Sequence, residues 1–88
     1  MRDVDERPVL ELFVTDGCSA CERALRVVEN CPELGAIVDI AVRQIGAPGV
    51  VLPPGLVGGP TFALDGSIVW LGTPDCEELV ARVAAFVS

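Results

Sequence analysis

The sequence predicts a single small α/β domain, and three observations carry that reading. Residues 9–15 (VLELFVT) are apolar on both faces of an extended strand, a helical repeat follows them, and a hairpin signal precedes a closing amphipathic helix. With 88 residues, 51% of them apolar and 22% charged, the chain suffices for one domain with a buried core.

Residues 1–8 (MRDVDERP) are polar and end in Pro, which reads as a flexible lead-in to a domain spanning 9–88. VLELFVT then reads as a central strand covered on both faces. Asp16 and Gly17 break it. From Ser19 onward Ala20, Ala24, Leu25 and Val28 recur at helical spacing, so a first helix is expected to run to about Cys31, where Pro32 stops it. Residues 36–44 (AIVDIAVRQ) form a second β-rich run. The Gly and Pro density of IGAPGVVLPPGLVGG forbids a long helix and predicts a loop or short turns. TFAL and SIVWLG flank Asp65-Gly66, the two-residue signature of a type I′ hairpin. Thr73 is expected to cap a last helix with Pro74 at its first position, and Leu79, Val80, Val83, Phe86 and Val87 to form its apolar face. The resulting order is β-α-β-loop-β-β-α.

Charge and composition narrow the chemistry. A net charge of −7, from six Arg and no Lys, opposes binding to nucleic acid or to an anionic membrane, since both need a basic footprint. No apolar run is long enough to span a bilayer, and the acidic start MRDVDERPVLEL does not resemble a signal peptide, so a cytoplasmic location is expected. Without His, the commonest general base and metal ligand is missing, which leaves the four cysteines as the main reactive groups. GLVGGP lacks the Lys and the following helix of a phosphate-binding loop, and the carboxylates are too scattered for a hard-metal site. Trp70 reads as packing.

Cys18 and Cys21 fall where the first strand hands over to the first helix, in TDGCSACERAL. Two thiols at this spacing suit disulfide exchange and soft-metal binding about equally, so their surroundings must distinguish the two. At a helix N-terminus, unpaired N–H groups and the helix dipole favour the thiolate of Cys18 and make it the nucleophile. Asp16 and Glu22 oppose that effect and Arg23 is the one nearby cation, so only a modest lowering of its pKa is expected. Cys21, one turn further on and on the apolar side, is placed to resolve a mixed disulfide. Cys31 and Cys76 each fall on an apolar helix face and read as small core residues; a disulfide between them is disfavoured in a cytoplasmic protein.

CSAC after a β-rich run, GGPTF further along, a strand hairpin and a terminal amphipathic helix resemble the thioredoxin and glutaredoxin superfamily over nearly the whole chain from Val9. That resemblance implies a mixed four-stranded sheet in the order 2-1-3-4 with helices on its faces. It also implies a cis bond before Pro60, which packs beside the active sulfurs, and a substrate groove shaped by Gly59, Pro60 and Thr61. The implied activity is thiol-disulfide oxidoreduction, a form of electron transport in which Cys18 attacks and Cys21 resolves. It would serve protein or small-molecule disulfides and draw on an unidentified reductase. No cofactor or metal is implied, and a monomer is expected.

Departures from the family pattern define this chain. Gly17 stands where thioredoxins carry Trp, Ser19-Ala20 replaces Gly-Pro between the cysteines, and Leu12 occupies the position of a buried acid, with Glu11 on the opposite strand face. The glutaredoxin signals reduce to Gly72, Thr73 and Asp75 beside the last helix, and no Lys precedes Cys18 to pair with glutathione. Two other classes use the same residues. A soft-metal carrier for a copper-type ion also places CxxC between strand and helix, but its fold ends in a strand and its usual Met is replaced by Asp16. A thioredoxin-like iron–sulfur protein would need all four thiols, and Cys31 and Cys76 stand apart from the pair.

Overall fold

A computed structural model of the chain describes residues 7–87. The elements are β1 (Val9–Val14), α1 (Ser19–Glu29), α2 (Pro32–Gly35), β2 (Asp39–Gln44), β3 (Thr61–Leu64), β4 (Ser67–Leu71) and α3 (Cys76–Val87). They form one four-stranded sheet in the order β2-β1-β3-β4. β1 runs parallel to β2, from Val9 opposite Asp39 to Val14 opposite Gln44. It runs antiparallel to β3, with Leu12 opposite Phe62. The β3–β4 hairpin turns at Asp65 and Gly66 with φ of 49° and 87°, the double left-handed turn expected of Asp-Gly, and a register shift falls between Phe62 and Ala63.

Strand alternation divides β1 between two faces. Leu10, Leu12 and Val14 join Cys21 and Ala24 of α1, Leu34 of α2, Phe62, Leu64 and Val69 of the hairpin, and Leu79 and Val83 of α3 in one apolar cluster. Both long helices therefore cover one face. On the other, Phe13 is fully buried while Glu11 pairs with Arg43 at 3.0 Å. Here the Gly/Pro-rich segment 45–60 does the covering, since its residues 48–54 form a groove of about 530 Å³ with Glu11 and Arg43.

Three boundaries differ from the sequence expectation by more than one residue. α1 ends at Glu29 rather than Cys31, because Asn30 caps it: both its backbone N–H (3.0 Å) and its side-chain amide (2.9 Å) donate to the Arg26 carbonyl. Pro32 then opens the extra turn α2, where its fixed φ suits the first helical position and its missing N–H costs nothing. Residues 36–38, expected in the second strand, follow α2 instead, with the N–H groups of Ile37 and Val38 both donating to Leu34. α3 begins at Cys76, not at Pro74. The Leu79 N–H donates to the Asp75 carbonyl at 3.0 Å, which makes Asp75 the boundary residue, while Thr73 turns its hydroxyl to the Ala20 carbonyl at 3.0 Å. In the last turn Phe86 and Val87 are exposed, so the apolar face of α3 effectively closes at Val83.

The lead-in 1–8 falls largely outside the described residues. Its last two members are tied down: the Asp39 N–H donates to the Pro8 carbonyl at 2.9 Å, and the Arg7 guanidinium donates to the carbonyls of Gly35 and Val38.

Cys31 and Cys76 correct the reading of them as unlinked core thiols. They form a disulfide with Cα atoms 5.7 Å apart, across a sequence separation of 45. The core placement itself stands, since Cys31 is 2% exposed and Cys76 packs against the same apolar cluster. Cys31 ends the α1 connection and Cys76 opens α3, and the helix packing on the shared face brings those two ends together.

Candidate functional site

Gly17, with φ of 70°, makes the left-handed turn that carries the chain from β1 into α1, a conformation that disfavours any residue with a Cβ. Cys18 follows as the N-cap of α1, in extended conformation, and its Sγ accepts the Cys21 backbone N–H at 3.1 Å. A sulfur thus takes the place of the usual capping oxygen and satisfies one of the orphan donors of the first turn. Cys18 is half-buried and Cys21 is 2% exposed; both are free thiols.

Their surroundings push the two thiols apart. The Cys18 pKa is lowered, first by the hydrogen bond from the Cys21 thiol and then by the Cys21 backbone N–H, so local donors rather than Arg23 supply the effect. Burial pushes the Cys21 thiol up, and its bond to Cys18 adds to the rise. Such a split is what two-step disulfide exchange requires: one thiol ready to attack, the other held back until it is needed.

The segment before β3 closes over this pair. The Gly59-Pro60 bond is cis, as expected from the resemblance. The Cys18 thiol lies 4.0 Å from the Gly59 carbonyl oxygen. A Cβ on Gly59 would stand 2.9 Å from Cys21 Sγ and 3.0 Å from the Phe13 carbonyl oxygen, so only glycine allows the backbone this close to the sulfur. Pro60 is buried, and its carbonyl accepts the Gly72 N–H at 2.9 Å, which ties the segment to the end of β4. Thr61 is 1% exposed and its hydroxyl donates to the Gly58 carbonyl, so its side chain faces inward and only its backbone can border a groove. Of the residues expected to shape a substrate groove, Gly59 stands at the sulfurs, Pro60 lies just behind it, and Thr61 supports the bend from within.

Sequence reasoning passed over Thr15, read only as the end of the first strand. Its hydroxyl lies 4.0 Å from Cys21 Sγ. With Asp16, Cys18, Cys21, Glu22 and Gln44 it lines a cleft of about 190 Å³. No motif marks a Thr in that position; only its proximity to the sulfur does. Leu12, at the position where a buried acid was sought, is wholly inside the apolar cluster, and Glu11 is engaged with Arg43 on the opposite face. The groove beneath residues 48–54 lies at that Glu11–Arg43 pair and includes neither thiol.

One other cluster brings metal-ligating atoms together among the described residues: Cys31, Glu33 and Cys76, all within 4.8 Å of one another. Two of its three donors are consumed by the disulfide. An iron–sulfur centre drawing on all four thiols has no support in that arrangement. No described helix is long and apolar enough to cross a membrane.

Sheet order, the cysteine pair at the strand-to-helix junction and the facing cis-proline segment match a thioredoxin-like fold. The comparison with known proteins agrees: the chain is 29% identical over 76 residues to a thioredoxin of Methanocaldococcus jannaschii, covering 84% of this chain and 89% of that protein. The homology is weak but spans most of both chains. No family model matches the sequence.

Proposed function

We propose that this protein is a thiol-disulfide oxidoreductase whose reactive groups are Cys18 and Cys21. The observation that carries the proposal is the asymmetry of the pair: a half-buried Cys18 whose sulfur is stabilised by the Cys21 N–H at 3.1 Å, beside a buried Cys21 whose thiol is pushed up. Similarity to a thioredoxin over most of the chain supports the same reading. The Cys18 thiolate attacks one sulfur of a substrate disulfide; the substrate's other sulfur leaves with the electron pair and takes a proton. Cys21 then attacks Cys18, the mixed disulfide breaks, and the second substrate thiol departs, leaving Cys18 and Cys21 oxidised. A separate reductase returns them to the dithiol. The backbone at Gly59 and Pro60 borders the incoming disulfide and offers main-chain groups to an extended peptide.

Covalent trapping tests the assignment. Cys21→Ser is expected to accumulate mixed disulfides with an unfolded disulfide-bearing protein, and Cys18→Ser to accumulate none, with turnover lost in both. Equal behaviour of the two variants, with no disulfide reduction by the parent protein, would refute it.

A further inference from the structure

In the exchange just proposed, the thiol that acts second is the one least able to ionise. Cys21 is 2% exposed, and burial favours its protonated form. Before it can attack the mixed disulfide its proton must leave, and the core offers no carboxylate to take it: Leu12 is fully buried apolar surface and Glu11 is bound to Arg43 on the far side of the sheet. The polar side chain at the Cys21 sulfur is Thr15, with Oγ1 4.0 Å from Sγ, itself half-buried at the edge of the cleft that holds both thiols.

We infer that Thr15 is the proton-handling residue of Cys21, its hydroxyl relaying the Cys21 proton to the cleft and then donating a hydrogen bond to the thiolate. This inference rests on the dithiol reading above. A hydroxyl suits the task because it accepts and donates at once. The Cys21 S–H gives its proton to Thr15 Oγ1 while the hydroxyl's own proton passes to solvent in the cleft. The freed Sγ bonds to Cys18 Sγ, the bond from Cys18 to the substrate sulfur breaks, and the electron pair leaves on that sulfur, which is protonated by water. Two electrons have then moved from the dithiol to the substrate disulfide, and no further oxidant is needed.

The remaining groups around Cys21 work against ionisation or carry no charge. Asp16 and Glu22 line the same cleft, and their negative charges oppose a second anion at Cys21. β2 contributes Gln44, and the segment before β3 contributes the backbone of Gly59, both uncharged. Thr15 is therefore the group that favours the Cys21 anion, first through its backbone and then through its hydroxyl, and the hydroxyl lowers the Cys18 pKa as well. It acts through Cys21 and is a positioning residue.

The test separates this role from the redox reading. In Cys18→Ser protein with the Cys31–Cys76 disulfide intact, Cys21 is the one thiol left to titrate, and with no Tyr in the chain its thiolate absorbance near 240 nm is read without interference. Adding Thr15→Val, which keeps the shape and removes the hydroxyl, is expected to move that titration to higher pH, while Thr15→Ser leaves it in place. In the otherwise native protein, Thr15→Val is expected to slow release of a preformed mixed disulfide roughly tenfold at neutral pH, about the worth of one hydrogen bond to a charged group, with the deficit closing as pH rises. The initial attack by Cys18 should change less than its release. An unmoved Cys21 titration in Thr15→Val, or a Ser variant that behaves like Val, would overturn the inference. A moved titration in a protein that reduces no disulfide would leave the Thr15 contact standing and refute the redox function instead.

Discussion

A single sulfur shows how much of this site rests on neighbouring atoms. Cys18 is paired with no cation among the described residues, yet its thiol is made more acidic by donors from Cys21, because a hydrogen bond aimed at the charged form favours that form. A depressed pKa means that the thiolate persists as pH falls below the ordinary thiol range and is lost only as pH passes through the lowered value. Alkylation of the dithiol form is therefore expected to label Cys18 first, with a pH profile midpoint below that of a free thiol, and Cys21 slowly, with a midpoint above it. Cys31 and Cys76 should take no label until a reductant opens their disulfide. Mass mapping after timed quenching checks the order, and early labelling of Cys76 without reductant would contradict the disulfide. Cys18 and Cys21 were legible in the sequence as the candidate pair because strand and helix periodicities meet at Cys18. Thr15 was not, because what selects it is a distance across a turn.

Among the elements, those with strong local codes followed the sequence reading: β1 by its apolar run, α1 by its helical repeat, and the β3–β4 turn by Asp-Gly. Misreadings arose where two local signals compete. Thr73-Pro74 imitates a helix start, but tertiary contact draws the Thr73 hydroxyl to Ala20 and moves the start to Asp75. The bond from Cys31 to Cys76 joins two element ends far apart in sequence, so no local pattern could announce it. It fastens the α1–α2 junction to α3, whose own apolar face has only Leu79 and Val83 fully buried. Replacing both by Ala is expected to lower the free energy of unfolding by about 2–4 kcal/mol, chiefly by enlarging the unfolded ensemble. Urea denaturation of the Cys31→Ala/Cys76→Ala protein measures it, and a midpoint equal to that of the parent would mean the bond adds no stability.

At the scale of the whole molecule, the two faces of the sheet are finished by different means. α1 and α3 close one with an apolar cluster, whereas the Gly/Pro-rich segment 45–60 closes the other and leaves Val51 83% and Val57 90% exposed at its surface. Strand order and the mixed sheet were within reach of the sequence once the family resemblance was seen. How the second face is covered was legible only as an absence of helix.

That exposed segment has a consequence for covalent connectivity. A single protease cut between Val51 and Val57 would divide the chain into a piece carrying Cys18, Cys21 and Cys31 and a piece carrying Gly59, Pro60 and Cys76. Cys18 and Cys21 and the backbone that closes over them would then belong to different polypeptides, joined through Cys31 and Cys76 like the two chains of a heterodimer. Limited digestion is expected to leave one band on a denaturing gel without reductant and two bands with it, and fragments that part without reductant would show that the bridge is not formed.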